Sequence, residues 1–277
     1  MNIESLKAKL KNYSRNNQKT HQNTLARFFQ ERFLYRLSVS DYKNNFLLKG
    51  GALAYTFSGE ASRPTKDIDF LIEKLEAEEK YLKKVIKEIC EISTADGVIF
   101  KTKIIKSESI QKEGNYSGTR IKVEAKLDKI SHQLQIDIGV GDHVTPGPQE
   151  IEYPTILKEL PPPILNAYSV ESLVSEKFNA MIVLGEFNSR LKDFYDLYKF
   201  IDDCDEEVLN DAIKNTFKRR KTKTPKNHPV FQEEFYKNQQ RLKQWSIFLQ
   251  KNNLEKIDLK DAVDKIRSNL LHIYKRL

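Results

Sequence analysis

Two aspartates two residues apart, Asp67 and Asp69, are the first pair in this chain with chemical potential. On an extended chain, residues i and i+2 project from the same face, so both carboxylates converge on one point. Like charges that close repel unless a cation sits between them. Mg²⁺ takes oxygen ligands and typically bridges one or two carboxylates to substrate phosphates. Sixteen residues before Asp67 the chain carries Gly50-Gly51, a pair that lets backbone N–H groups approach an anion closely. Together these residues predict a site for a triphosphate and Mg²⁺. The spacing alone also fits a solvated pair at a strand edge. Asp137 is a third candidate, on the opposite strand face from Leu134, Ile136 and Ile138. If its strand neighbours that of Asp67 and Asp69, three carboxylates face one cleft, as two-metal phosphoryl and nucleotidyl transfer requires. The bland alternative is an exposed Asp on a half-buried sheet.

A second group lies further along. In VESLVSEKFNAMIVL (170–184), Lys177 falls inside the helical stripe of Val170, Leu173, Val174, Phe178, Met181 and Ile182. A buried ammonium costs several kcal/mol unless paired, so Lys177 calls for a phosphate or carboxylate partner. Otherwise its stem is buried and its head snorkels out. In the next helix Leu191, Phe194, Leu197, Tyr198 and Ile201 form a core stripe, flanked by Arg190 and Asp193, with Asp196 further round. Lys192 and Asp196 read as an exposed i,i+4 pair. Alternatively, Asp193 or Asp196 orients Lys177 or Arg190.

The elements that must hold these residues can be read from periodicity. Residues 1–37 are helical, with Leu6, Leu10, Leu25, Phe28, Phe29, Phe33 and Leu34 at helical spacing. FLLKGGALAYTF, from residue 46, reads as a strand or helix end, a tight turn and a helix start. DIDFLIE (67–73) alternates as a strand, with Ile68, Phe70 and Ile72 on one side and Asp67, Asp69 and Leu71 on the other. A charged helix over about 76–92 follows, then alternating strands over 119–127 and 133–140. Pro161, Pro162 and Pro163 cannot continue a helix or a central strand and mark a boundary. Beyond them the chain reads as helical to its end. The expectation is a mixed α/β domain over 1–160 and an all-helical domain over 161–277.

Composition sets the limits. The chain has 277 residues, 39% hydrophobic and 31% charged, enough to bury a core and far from collagen-like or low-complexity classes. Lys+Arg exceed Asp+Glu by 47 − 39 = 8, which favours polyanionic partners only weakly. Two cysteines in no CxxC spacing, Cys90 and Cys204, argue against a disulfide framework or a thiolate zinc site. The N-terminal stretch lacks the apolar run of a secretion signal, and no segment is long enough to span a bilayer. A soluble, cytoplasmic protein with no membrane partner is expected.

Three blocks read together carry more information than any one. LLKGGALAYTFSGEASRPTKDIDFLIE (47–73), SEKFNAMIVL (175–184) and RLKDFYDLYKF (190–200) resemble the AbiEii/AbiGii toxin family of DNA polymerase β-like nucleotidyltransferases. The resemblance implies an α+β fold: a nucleotidyltransferase-fold N-terminal domain with a mixed sheet, then an α-helical bundle. It implies Mg²⁺-dependent use of a nucleoside triphosphate by a toxin of a toxin–antitoxin or phage-defence system, with a cognate antitoxin as partner. By resemblance, Gly50 and Gly51 form the phosphate-holding turn, and Lys49 and Arg63 match the nucleotide-binding pattern. Asp67 and Asp69 match the metal pair, Lys177 the helical lysine, and Arg190, Asp193 and Asp196 the Arg-Asp-Asp block. The wider superfamily often has Gly-Ser at the turn. With Gly-Gly here, the serine's phosphate contact falls to backbone amides or Thr65.

Residues 214–226, KNTFKRRKTKTPK, hold seven Lys or Arg. Such a run is a solvated loop or the footprint of an RNA backbone, and Lys218, Arg219, Arg220, Lys221 and Lys223 are the candidate contacts. Nearby Phe217, Phe231, Phe235, Tyr236 and Trp245 fit a core better than stacking platforms. The basic run together with the resemblance, some of whose family members add nucleotides to tRNA 3′ ends, implies transfer of a nucleotidyl group from an NTP to an RNA hydroxyl, with tRNA the expected acceptor. Lys177 would neutralise phosphate charge, and Asp137 would help activate the hydroxyl. The rivals are a same-fold enzyme acting on a protein or small molecule, and a non-catalytic nucleotide- or RNA-binding module.

Overall fold

A computed structural model describes residues 2–112 and 116–277. The chain divides into two compact units. The first is built from Met1–Gln111, Ser117–Gly141 and Gln149–Ala167, the second chiefly from Asp142–Pro148 and Tyr168–Leu277.

Helices α1 (Ile3–Asn16) and α2 (His21–Ser38) open the first unit. The side chains of Asn2 and Thr20 cap them by accepting from the backbone N–H of Glu4 and Asn23. Leu6, Leu10, Phe28, Phe29, Phe33 and Leu34 are all buried, as their spacing predicts. Strand β1 (Phe46–Lys49) runs directly into α3 (Gly50–Ser58). β2 (Asp67–Ile72), α4 (Glu79–Glu91), β3 (Val98–Phe100), β4 (Lys106–Lys112), β5 (Tyr116–Leu127), β6 (Ile130–Val140), β7 (Gln149–Glu152) and β8 (Ile164–Ala167) follow.

Their order in one mixed sheet is β3-β5-β6-β2-β1-β8-β7, with β4 also paired to β5. β2 is antiparallel to β1 and parallel to β6. One face is packed: Ile68, Phe70, Ile121, Val123, Ala125, Leu134, Ile136 and Ile138 are buried. A two-residue turn, with Asp128 at φ +54°, joins β5 to β6 and fixes their register. A slip of one residue would swap every side chain between the two faces.

Two features depart from the sequence expectation. β8 follows the three prolines yet pairs in parallel with β1, so the sheet continues beyond them. The prolines lie in the lead-in, where no ladder N–H is needed, and the Pro163 carbonyl accepts from the backbone N–H of Tyr153 at 2.8 Å. Charged groups on α2 also penetrate the core. Arg36 binds both carboxylate oxygens of Asp96, at 2.7 and 3.1 Å, and donates to the Val98 carbonyl. Glu31 accepts from Arg32 at 2.6 Å and from the Ile156 N–H at 2.7 Å.

The second unit is helical: α5 (Val170–Leu184), α6 (Leu191–Phe200), α7 (Glu206–Arg220), α8 (Glu233–Lys237), α9 (Gln239–Lys251) and α10 (Leu259–Tyr274). Ser169 caps α5. Phe178 packs against Phe217, Phe231 and Tyr274, with ring centroids 5.5 to 6.4 Å apart. Phe217, Phe231, Phe235, Tyr236 and Trp245 are all buried, which makes them core. No helix among the described residues is long and apolar enough to cross a membrane.

Candidate active site

The carboxylates are positioned by strand register. β2 and β6 run in parallel with Asp69 opposite Asp137 and Asp67 opposite Gln135. Residues opposed in register share a face, so all three acids stand on the face opposite the packed one. One oxygen from each of Asp67, Asp69 and Asp137 lies within 4.8 Å of the others. Asp137 is buried, while Asp67 and Asp69 are half-buried. Three hard oxygen donors, with no sulfur or imidazole among them, fit Mg²⁺ or Mn²⁺ rather than a softer ion. Thr65 donates its hydroxyl to Oδ1 of Asp67 at 2.9 Å, fixing that side chain.

The glycine pair sits directly over these acids. Gly50 adopts φ +68°, and a Cβ there would meet Oδ2 of Asp69 at 2.3 Å. A Cβ on Gly51 would meet Oγ1 of Thr65 at 2.7 Å and Nη1 of Arg63 at 3.4 Å. The bend is also the N-terminus of α3, whose free amides and positive dipole end favour an anion. Lys49 lies opposite Asp69 in the β1–β2 ladder and is buried, as is Arg63. The structure thus brings together Lys49, Gly50, Gly51, Arg63, Thr65, Asp67, Asp69 and Asp137.

Sequence reasoning missed Arg120. On β5 it stands opposite Asp137 and binds it with both ends of the fork, Nε to Oδ1 and Nη2 to Oδ2, each 2.8 Å. Those bonds, opposed by partial burial, push the guanidinium pKa above its ordinary value. The signal was present: Arg120 alternates with buried Thr119 and Ile121, which puts it on the unpacked face. A cavity of about 60 Å³ beside Gly51 and Arg63 was also unanticipated; Tyr13, Arg27 and Tyr55 wall it. Glu60 sits there, and burial would raise its pKa. Tyr13, Tyr55 and Arg27 outweigh that and hold it below its ordinary value.

In the second unit, Lys177 is buried with Nζ 3.2 Å from Oδ1 of Asp193 and 3.0 Å from Oδ2 of Asp196. Nε of Arg190 lies 2.7 Å from Oδ2 of Asp193. Asp193 and Asp196 are three apart on α6 and so share a face toward Lys177. The exposed Lys192–Asp196 pairing is therefore corrected: Asp196 is buried against Lys177, and the ammonium does not snorkel.

The basic run divides in two. Lys218, Arg219 and Arg220 form the last turn of α7, where cations suit the negative dipole end, and Lys221 is its left-handed cap. Lys218, Arg219, Lys221 and Lys223 are exposed. Arg220 is not available to a phosphate backbone. Its side chain is 13% exposed and bound to Asp142 at 3.1 Å and Glu176 at 2.7 Å.

A mixed sheet with a Gly-Gly bend over carboxylates on two adjoining parallel strands defines the nucleotidyltransferase class. The family model "Nucleotidyl transferase AbiEii toxin, Type IV TA system" matches residues 32–268. The chain belongs to that family and is a nucleotidyltransferase, and the family implies a nucleotide substrate and an antitoxin partner. Two solved structures share the fold at 15% identity. One, from H. pylori and described as a candidate nucleotidyltransferase, has a TM-score of 0.54 and covers 93% of this chain and 97% of its own. The other is JHP933 from Helicobacter pylori, with a TM-score of 0.52, covering 93% and 94%. No curated protein matches the chain.

Proposed function

We propose that this protein is a toxin that transfers a nucleoside monophosphate from an NTP to a hydroxyl of RNA, with tRNA the expected acceptor, in a Mg²⁺-dependent reaction. The observation that carries the reading is the register of Asp69 against Asp137 beneath the Gly50 bend. Asp67, Asp69 and Asp137 would hold Mg²⁺, which when bound supplies neutralising charge for the triphosphate and the attacking oxygen.

The chain's own groups do the rest. Gly50 and Gly51 let the first amides of α3 hold the β- and γ-phosphates, and Lys49 and Arg63 add positive charge to that cradle. The acceptor oxygen bonds to the α-phosphorus, the bond from that phosphorus to the β-phosphate oxygen breaks, and pyrophosphate leaves. Asp137, oriented by Arg120, activates the acceptor hydroxyl and receives its proton. Thr65 keeps Asp67 in place. Exposed Lys218, Arg219, Lys221 and Lys223 offer phosphate contacts that carry no sequence information.

The test is incubation of the purified chain with each labelled NTP, Mg²⁺ and a tRNA pool, with protein and small-molecule fractions in parallel. Label in RNA that is lost on chelation and in Asp69→Ala supports the reading. Label in protein or a small molecule alone replaces the acceptor. Nucleotide and RNA binding that survives both EDTA and Asp69→Ala, with no label transferred, marks a binding module.

A further inference from the structure

The unpacked face that carries the acids continues past Asp137. Across the strands it reads, in order, the Gly50 bend at the end of β1, Asp69 and Asp67 on β2, Asp137 and Gln135 on β6, then Arg120 and Lys122 on β5. Lys122 lies opposite Gln135 as Arg120 lies opposite Asp137. Beyond them Glu108 on β4 meets Lys122 at 3.0 Å. A groove of about 390 Å³ at this edge is lined by Lys83, Lys106, Ser107, Glu108, Arg120 and Lys122. Its four cations face Glu108 and the Asp137 carboxylate that holds Arg120, which leaves it net +2. Among the described residues no acidic group lies within ion-pair distance of Lys83 or Lys106, and Lys106 is exposed.

Phosphoryl transfer supplies its direction. The attacking and leaving oxygens lie roughly in line through the transferred phosphorus. With pyrophosphate held at the Gly50 bend, on the β1 side of the acids, the attacking hydroxyl must come from the β5 side. That is the side of the groove. Arg120 stands at the junction, with its fork on Asp137 and its flank toward Lys122.

We infer that the groove between β4, β5 and α4 docks the sugar–phosphate backbone of the acceptor strand, just upstream of its reactive hydroxyl. This inference rests on the RNA-acceptor reading above. Lysines act on phosphates as point charges without reading bases, so the groove fixes the direction of the strand and not its sequence. The acceptor it fits is a single-stranded end, because the trailing phosphates must follow one sheet edge.

The experiment uses the full chain and a 5′-fluorescein RNA oligonucleotide with a free 3′ hydroxyl, read by anisotropy across a salt series. Each phosphate contact to a single strand contributes about 0.7 to the slope of log K against log salt. Lys83→Ala/Lys106→Ala/Lys122→Ala should lower the slope by about 2 and the affinity about a hundredfold at about 0.1 M salt. Binding of a fluorescent NTP and of Mn²⁺ should match wild type, since none of the three lysines touches the acids or the bend. Should the triple variant melt early, Lys106→Ala/Lys122→Ala on the exposed side should lower the slope by about 1.4. If wild type labels RNA and both variants bind it with unchanged slope, the groove is overturned and the RNA-acceptor reading stands. If wild type labels only protein or a small molecule, both fall.

Discussion

Gly50 and Asp69 approach so closely that no side chain fits between them: a Cβ on Gly50 would lie 2.3 Å from Oδ2 of the carboxylate. The backbone at Gly50, with φ +68°, is also one that L residues rarely adopt. The contact couples the Gly50 bend to the Asp69 carboxylate, so neither can shift without the other. Gly50→Ala should cost about 1–3 kcal/mol of stability from the backbone alone. By pushing the Asp69 carboxyl aside it should also lower transfer about a hundredfold, the usual penalty for an ångström of misplacement. Steady-state kinetics beside a melting curve checks this. Full activity in the folded variant would remove the close contact from the argument.

Asp67, Asp69 and Asp137 gather three like charges at one point, with Arg120 bound to Asp137 and drawn also by Asp67. A divalent ion should therefore stabilise the fold by mass action, by about 1.4 kcal/mol at tenfold excess over its dissociation constant. Scanning calorimetry with and without Mn²⁺ should show a rise in melting temperature for wild type. Asp69→Asn should abolish the rise. A wild-type rise that persists in Asp69→Asn would place the ion elsewhere.

Much of this was legible because period and register coincide with chemistry. The Asp-x-Asp spacing on an alternating segment fixed both the strand and the face, and the parallel pairing of β2 with β6 then brought in Asp137. Arg120 was harder. Its meaning depends on a turn at Asp128 that sets β5 against β6, which no local pattern around Arg120 states. β8 was hidden because prolines signal a break in local structure, whereas its four residues are held by tertiary pairing with β1. Arg220 misled for a related reason: a run of cations looks uniform in sequence, yet one member is turned inward by Asp142 and Glu176.

Lys177 separates a structural role from a catalytic one. Its ammonium is the shared partner of buried Asp193 and Asp196, with Arg190 holding Asp193 from a second direction. Removing one member of a buried ion network leaves uncompensated charge, at a cost of about 3–5 kcal/mol. Lys177→Met should show a loss of that size in urea unfolding. Adding Asp196→Asn to it should restore part of the loss, since a neutral amide needs no cation. A Lys177→Met chain as stable as wild type would mean that the two aspartates are satisfied without it.

His228 gives a pH dependence with a defined sign. It is buried, its Nε2–H donates to the Ile182 carbonyl at 2.9 Å, and its Nδ1 accepts from the Val230 N–H at 3.4 Å. Only the neutral imidazole can do both. Burial lowers its pKa, and the Ile182 bond and the nearby Glu186 carboxylate oppose this without cancelling it. The unfolded chain, with an ordinary histidine near 6.5, therefore binds the proton more readily than the folded one. Stability is full above that value. It falls as pH drops below it, by up to about 1.4 kcal/mol per pH unit, until the folded imidazole also titrates. Unfolding free energies at about pH 7.5 and 5.5 should differ less in His228→Gln than in wild type. Parallel curves for the two chains would show that the buried imidazole is not what titrates.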